Sequence, residues 1–374
     1  MTATVPFRKG RLGAMQDDAA AGEGGGRTSG DGRPTLKTIA FMTGLAVTTV
    51  SRALKDAPDI GEDTRRRVQL VARQVGYRPN RAGVRLRTGK TSVISLILNT
   101  DDQLMGFISD IIYGVSGELA STPYHLILTP YSGRDDPMDP VRYVVETRSA
   151  DGVILSQTQP DDPRVKYLVD HGFPFATHGR TEMGIAHPWH DFDNFAFARL
   201  AVDRLVAAGR RRLALLAPSP ALTYHRHMTA GFTEGIVENG VTEIPFRTAW
   251  VDQPIDEIQR QAIQLMRRPV RPDGIVSGSG SATFALVNAI EECGLRLGTD
   301  VDVVTKQSSQ LVRMFRRELF AVNEDFRLAG RELARAVLGQ IDGKAPESLQ
   351  TLAVPDAVEG PDPAPAESRL WKAG

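Results

Sequence analysis

The sequence predicts a small all-α head followed by a larger α/β core built on parallel sheets. Three observations lead there. Charge is segregated by segment, two short helical stripes around a glycine occupy residues 35–54, and from residue 91 short apolar runs alternate with helical periodicity. The 374 residues suffice for roughly two to three domains. An apolar content of 41% supports packed cores and excludes disorder throughout. The one cysteine, Cys293, excludes an intrachain disulfide and a cysteine-cluster zinc site, and points to the cytoplasm.

Residues 1–32 are rich in Gly, Ala and polar residues and read as a disordered extension without a signal-peptide h-region. No run approaches the length of a membrane span. Residues 355–374 carry Pro355, Pro361, Pro363 and Pro365 and read as a tail that does not pack. The net charge of zero hides a division. Residues 33–90 hold thirteen basic and four acidic residues, a balance of +9; residues 1–32 are neutral, so the remainder carries −9. A 58-residue segment at +9 points to nucleic acid, whereas a single run such as Arg65-Arg66-Arg67 reads rather as a solvated helix face.

Within that segment, Leu36, Ile39, Ala40 and Met42 form the apolar stripe of a first helix, which Gly44 ends. A second helix starts near Val47 or Thr48 and buries Val50, Ala53 and Leu54. It leaves Val47, Thr48, Thr49, Ser51 and Arg52 outside. Two short helices around a glycine make a helix-turn-helix, whose second helix reads base edges. Val and Thr methyls suit thymine, and Arg52 suits guanine O6 and N7. A third helix opens near Gly61, turns Val68, Val71, Ala72 and Val75 inward and ends at Gly76.

The run Thr35-Leu36, Ile39-Ala40, Gly44, Thr49-Val50-Ser51-Arg52, Leu54, Thr64-Arg65, Gly76-Tyr77, Pro79-Asn80 and Leu86 resembles the head of the lactose-repressor (LacI/GalR) family. The resemblance implies major-groove contacts from Val47, Thr48 and Arg52. It also implies phosphate contacts from Thr35, Thr49, Ser51, Tyr77 and Asn80. Residues 79–90 would hold a hinge helix and linker that fold on DNA, with Leu86 wedging the minor groove beside Gly83. Three departures stand out. Ala46 replaces a helix-capping Ser, so Thr48 would cap a later start; Gly61 replaces a Ser; and Gly83 replaces an Ala, costing the hinge helix about 0.5–1 kcal/mol.

The core reads as strands at Val93–Leu98, His125–Pro130, Gly152–Leu155, Phe175–Thr177, Leu213–Ala217, Gly274–Ser277 and Val301–Val304. Helices fall at Ile108–Ala120, Phe195–Ala208, Ile255–Met266 and Ala282–Cys293. Such alternation predicts parallel sheets with ligands beyond the strands' carboxyl ends. The resemblance continues through Ser149–Leu155, Asp193-Asn194, Gly209–Ala214, Gly294–Val301 and Asn323–Gly330. It implies a periplasmic-binding-protein-like core at 91–354, with lobes of about 91–191 plus 326–350 and 193–323, and a sugar between them. Phe326 would stack on the sugar. Gln307 stands where an aspartate is expected and Ser279 where an Asn-Asp pair begins. Phe107, His178, Arg180, Trp189, Asp193, His225, Arg226 and His227 complete the candidate effector set, since aromatic faces and planar donors suit a hydroxyl-rich ring.

His225-x-His227 lacks a third ligand at suitable spacing, so no metal is expected. Ser277-Gly-Ser-Gly-Ser281 lacks the third glycine or the lysine of a nucleotide loop, so no cofactor is expected. No catalytic constellation stands out, which argues against an enzyme. The combined expectation is a cytoplasmic repressor of carbohydrate genes. It would be a homodimer on a palindromic operator, controlled by a small sugar, with a subgroup resemblance to regulators of α-glucoside uptake. The competing reading is a sugar receptor without a DNA-directed role.

Overall fold

The computed structural model describes residues 33–78, 85, 89–100, 107–308 and 311–361. The chain parts into two units between Gly89 and Lys90. The expected hinge-helix residues Asn80, Gly83 and Leu86, the 1–32 extension and residues 362–374 lie outside the described residues.

The first unit holds α1 (Leu36–Thr43), α2 (Val47–Ala53) and α3 (Glu62–Gln74). Thr35 caps α1 through a reciprocal pair with Thr38, and Gly44 closes it at φ 68°, a left-handed conformation that a side chain would strain. Ile39, Val50, Ala53 and Val68 are fully buried where the three helices meet. Arg67 ties α3 to α1 by donating to the Thr43 carbonyl at 2.9 Å. Two local expectations are corrected. Met42 is 50% exposed, because Thr43 takes the inward position and bonds back to the Ile39 carbonyl. Thr48 does not cap α2; the helix begins at Val47 behind Ala46, which offers no side-chain bond.

The second unit contains two wholly parallel sheets. The first runs β11 (Gln350–Ala353), β5 (Trp189–Phe192), β4 (Phe175–His178), β3 (Gly152–Leu155), β1 (Val93–Asn99), β2 (His125–Tyr131). The second runs β10 (Phe320–Asn323), β9 (Asp302–Gln307), β8 (Gly274–Ser277), β6 (Arg212–Leu216), β7 (Thr242–Glu243). Central strands β3 and β8 are buried at every position, as helix-covered parallel strands must be.

Around the first sheet lie α4 (Phe107–Leu119), α5 (Met138–Thr147) and α6 (Pro163–Asp170). The second carries α7 (Asn194–Ala207), α8 (Thr223–Asn239), α9 (Ile255–Met266), α10 (Gly280–Glu292) and the short α11 (Leu311–Phe315). A last helix, α12 (Phe326–Ile341), returns to the first sheet and packs on α4. There Gly114 and Gly330 let the two backbones approach: a Cβ on Gly330 would sit 2.5 Å from the Ile111 carbonyl oxygen.

The chain passes between the sheets three times: after β5 into α7, after β10 into α12, and after β11 toward residue 359. The last passage corrects the expectation of an unpacked tail. Glu359 pairs antiparallel with Ala321, Arg313 bonds the Glu359 carboxylate at 2.8 Å, and Val358 packs on the second sheet's core. Prolines cap this segment without preventing one strand-like bridge. Among the described residues no helix is long and apolar enough to cross a membrane.

Candidate functional sites: the recognition helix and the interlobe cleft

On α2, the 3.6-residue period sends Val50 and Ala53 into the head core and leaves Val47, Thr48 and Arg52 exposed, with Thr49 and Ser51 half-buried beside them. The exposed face thus collects two methyl-bearing side chains near the helix N-terminus and one guanidinium a turn later. Asp59, in the loop after α2, holds Arg52 at 2.5 Å in a pair that is open to water on both sides. Such a pair contributes little to stability and exchanges readily. Thr35 already spends its hydroxyl on the α1 cap. Tyr77 packs its ring on the head core, and burial raises its phenol pKa.

A cleft of about 900 Å³, counting its open mouth, lies between the two sheets at the strands' carboxyl ends. Its aromatic wall is Phe107, Phe326 and His178. The Phe107 and Phe326 rings meet edge to face at 4.9 Å, and His178 lies 5.5 Å from the first and 5.8 Å from the second. Ser279 and Gln307 face them from the second lobe. Ser279 caps α10 and bonds the Ser281 hydroxyl at 2.9 Å, so its side chain is spoken for. Gln307 is different. It is 2% exposed, and neither its amide nitrogen nor its amide oxygen has a partner. A buried primary amide with both ends unmet costs a few kcal/mol unless something supplies them.

The charges in the cleft are paired. Lys306 lies 2.8 Å from Glu324 and donates to the Asn194 side-chain oxygen at 3.0 Å. Asp191 receives Arg180 at 2.7 Å, while Arg180 itself stacks over Trp189 at 5.3 Å. His178 is held neutral: burial brings its pKa down to about 4, with Asp191 pulling up and Lys306 pushing down. His190, stacked behind it and bonded to Thr351 at 2.8 Å, is likewise lowered by burial to about 4.

Five of the expected effector residues therefore converge on the cleft: Phe107, His178, Ser279, Gln307 and Phe326. Six do not line it. Arg180 and Trp189 stand behind Asp191. Asp193 caps α7 through Ala196. His225 bonds the Pro218 carbonyl at 2.7 Å and meets Trp250 edge-on. Arg226 pairs with Glu182 near the surface, and the buried His227 Nδ1 lacks a partner away from the cleft lining. In the His225-Arg226-His227 run, helical geometry brings the preceding residue, Tyr224, to the cleft instead.

Sequence reasoning missed Asp191, Asn194, Lys306 and Glu324 as lining residues. The available signal was position: Lys306 adjoins Gln307, Glu324 directly follows β10, and Asn194 opens α7 behind its cap Asp193.

The comparisons with known proteins agree with this architecture. Residues 35–80 match bacterial regulatory proteins of the lacI family, and residues 202–360 match a periplasmic binding protein-like domain. The chain is 33% identical over 323 residues to the HTH-type transcriptional regulator RafR of Escherichia coli, covering 84% of this chain and 94% of that protein. It is 30% identical to the HTH-type transcriptional regulator AglR of Rhizobium meliloti, covering 88% and 98%. Among solved structures, the lac repressor dimer bound to operator and the anti-inducer ONPF aligns with a TM-score of 0.74 at 21% identity, covering 87% and 97%. A transcriptional regulator CelR–cellobiose complex aligns at 0.63 and 24% identity, covering 87% and 98%. A three-helix head with an exposed α2 face, a two-sheet core and near-full-length likeness to these regulators agree: the chain belongs to the lacI family of bacterial DNA-binding transcriptional regulators.

Proposed function

We propose that this regulator is a cytoplasmic, homodimeric repressor of carbohydrate genes whose operator affinity is set by a neutral sugar in the interlobe cleft. The observation that carries the effector class is Gln307. A buried amide with one unmet donor end and one unmet acceptor end matches a hydroxyl pair, each hydroxyl being both donor and acceptor. The aromatic wall of Phe107 and Phe326 suits the apolar face of a pyranose ring. Lys306 and Arg180 already face carboxylates, so the described lining offers a phosphate little unneutralised positive charge. The CelR structure was solved with cellobiose, which makes that disaccharide a natural first probe.

At the DNA, Val47, Thr48 and Arg52 read the major groove, with Arg52 exchanging Asp59 for guanine O6 and N7. Thr35, Thr49, Ser51, Tyr77 and Asn80 set register on phosphates, and by family likeness Leu86 and Gly83 meet the minor groove. Sugar binding then shifts the population of lobe arrangements, and with it the operator-competent dimer.

The test has two arms. Selection from random-sequence DNA with the full chain should yield a palindrome bound with a steep salt dependence. Arg52→Ala should lose about 1–3 kcal/mol of discrimination at one base pair of each half-site. Sequence-independent binding that ignores Arg52→Ala would instead favour a sugar receptor without a DNA-directed role. In the second arm, a melting-temperature panel of mono- and disaccharides beginning with cellobiose should find at least one stabilising sugar. A panel in which only phosphorylated sugars stabilise would overturn the neutral-effector reading.

A further inference from the structure

Lys306 is a buried cation in the lining of the cleft. Its side chain is 11% exposed, on β9, with its ammonium 5.4 Å from the Phe192 ring and 5.7 Å from that of Tyr224. Removing an ammonium from water is expensive, and two neighbours offset the cost: the Asn194 amide oxygen at 3.0 Å and Glu324 Oε2 at 2.8 Å. The contact with Glu324 is one of charge and not an aligned hydrogen bond, since Oε2 is otherwise without a hydrogen-bond partner.

The position of those partners gives the arrangement meaning. Asn194 is the first residue of α7, where the chain leaves β5 for the second lobe. Glu324 directly follows β10, where the chain leaves the second lobe for α12, and its own N–H is held by the Gln307 carbonyl at 2.8 Å. Two of the three interlobe passages therefore meet at one ammonium carried by a strand of the second sheet. All three residues also line the cleft. A ligand hydroxyl that bonds Glu324 or Asn194 consequently competes with, or re-aims, a bond that fixes the passages.

We propose that Lys306 is the positioning residue that couples occupancy of the cleft to the arrangement of the lobes, by tying the β5–α7 and β10–α12 passages together through Asn194 and Glu324. The inference deepens the effector reading and rests on it for its ligand-dependent half. Its mechanical half stands without any ligand. With Lys306 in place, opening of the lobes has to move Asn194 and Glu324 relative to each other against a buried charge contact. Without it, the two passages move independently, and a sugar still binds but its binding is no longer transmitted.

The experiment uses the full chain and three variants: Lys306→Arg, Lys306→Met, and Lys306→Met combined with Glu324→Gln. The last removes the uncompensated buried carboxylate that by itself could unfold the single variant. Hydrogen exchange without ligand should show residues 192–196 and 323–328 exchanging at least tenfold faster in the double variant, with β1 and β8 unchanged and Lys306→Arg close to wild type. Operator binding is then measured with the wild type and the double variant each saturated by a sugar that stabilises the wild type, whatever concentration the double variant requires. The double variant's ratio of operator affinities with and without that sugar should fall toward one, which lost packing alone would not produce. Exchange within twofold of wild type across both passages would overturn the proposal, as would an unchanged operator-affinity ratio in the double variant. If no sugar stabilises the wild type, the effector reading fails, while the exchange comparison still decides the role of Lys306.

Discussion

His178 and His190 stack at 6.3 Å between the cleft and β11, and both are neutral in the folded chain with pKa values lowered to about 4. Burial is the first cause for each. Asp191 opposes it and Lys306 reinforces it at His178, whereas His178 reinforces it and Glu324 and Asp325 oppose it at His190. An unfolded histidine takes its proton near pH 6.5, so the unfolded state binds protons first as pH falls. Stability is therefore intact above about pH 6.5 and declines toward pH 4, by about 3 kcal/mol for each histidine. Denaturant titrations from pH 7 to 4.5 should show that slope, and His190→Gln should flatten it by about half; an equal slope in the variant would refute the assignment. Side-chain roles were only partly readable beforehand. Phe326, Gln307 and Ser279 are legible at the cleft through the family resemblance, and His178 through its place at a strand end, where chain position nearly dictates spatial position. Lys306 and Glu324 escaped because their meaning lies in each other, and 18 sequence positions separate them.

Apolar runs and periods made many elements legible, though the amphipathic helices α5 and α12 were not among those expected. Strands β1, β2, β3, β4, β6 and β8 announce themselves as apolar runs; β9 was expected at Val301–Val304 but runs Asp302–Gln307 because the polar end, Lys306-Gln307, still pairs with β10. Trp189–Phe192 reads as polar loop, yet it lies between β4 and β11, and its buried His190 bonds Thr351. Helix α6 hides for another reason: its start is fixed by Asp162, whose fully buried carboxylate caps the Arg164 N–H and pairs with the Arg164 guanidinium at 2.7 Å. The α4–α12 contact depends on two glycines whose value is invisible until the helices are paired. Gly330→Ala places a Cβ 2.5 Å from the Ile111 carbonyl oxygen and 2.9 Å from the Val115 nitrogen, both backbone atoms that cannot swing aside. It should cost roughly 1–3 kcal/mol, read as a lowered denaturant midpoint. The same substitution at exposed Gly117, also on α4 and with nothing near its Cβ, should cost nothing measurable.

Across the molecule, the zero net charge resolves into a +9 segment at residues 33–90 and −9 beyond it. That division was legible, and it directed attention to α2 before any side chain was placed. The tail was not legible, since Pro355 and Pro361 flank residues that nonetheless pack: Val358 joins the core of the second sheet and Gly360 lies against the Phe320 ring. A chain ending at residue 354 should lose roughly 1 kcal/mol through the half-buried Val358 alone, with melting of the second sheet advanced more than that of the first. Equal melting to the full chain would show the segment to be idle. The three passages also order events at the ribosome. β11 and α12, which complete the first sheet, are made only after the whole second sheet. The nascent chain therefore carries an unfinished sheet with β5 as a bare edge while residues 193–349 emerge, and a nick in any one passage after folding leaves two others holding the protein together.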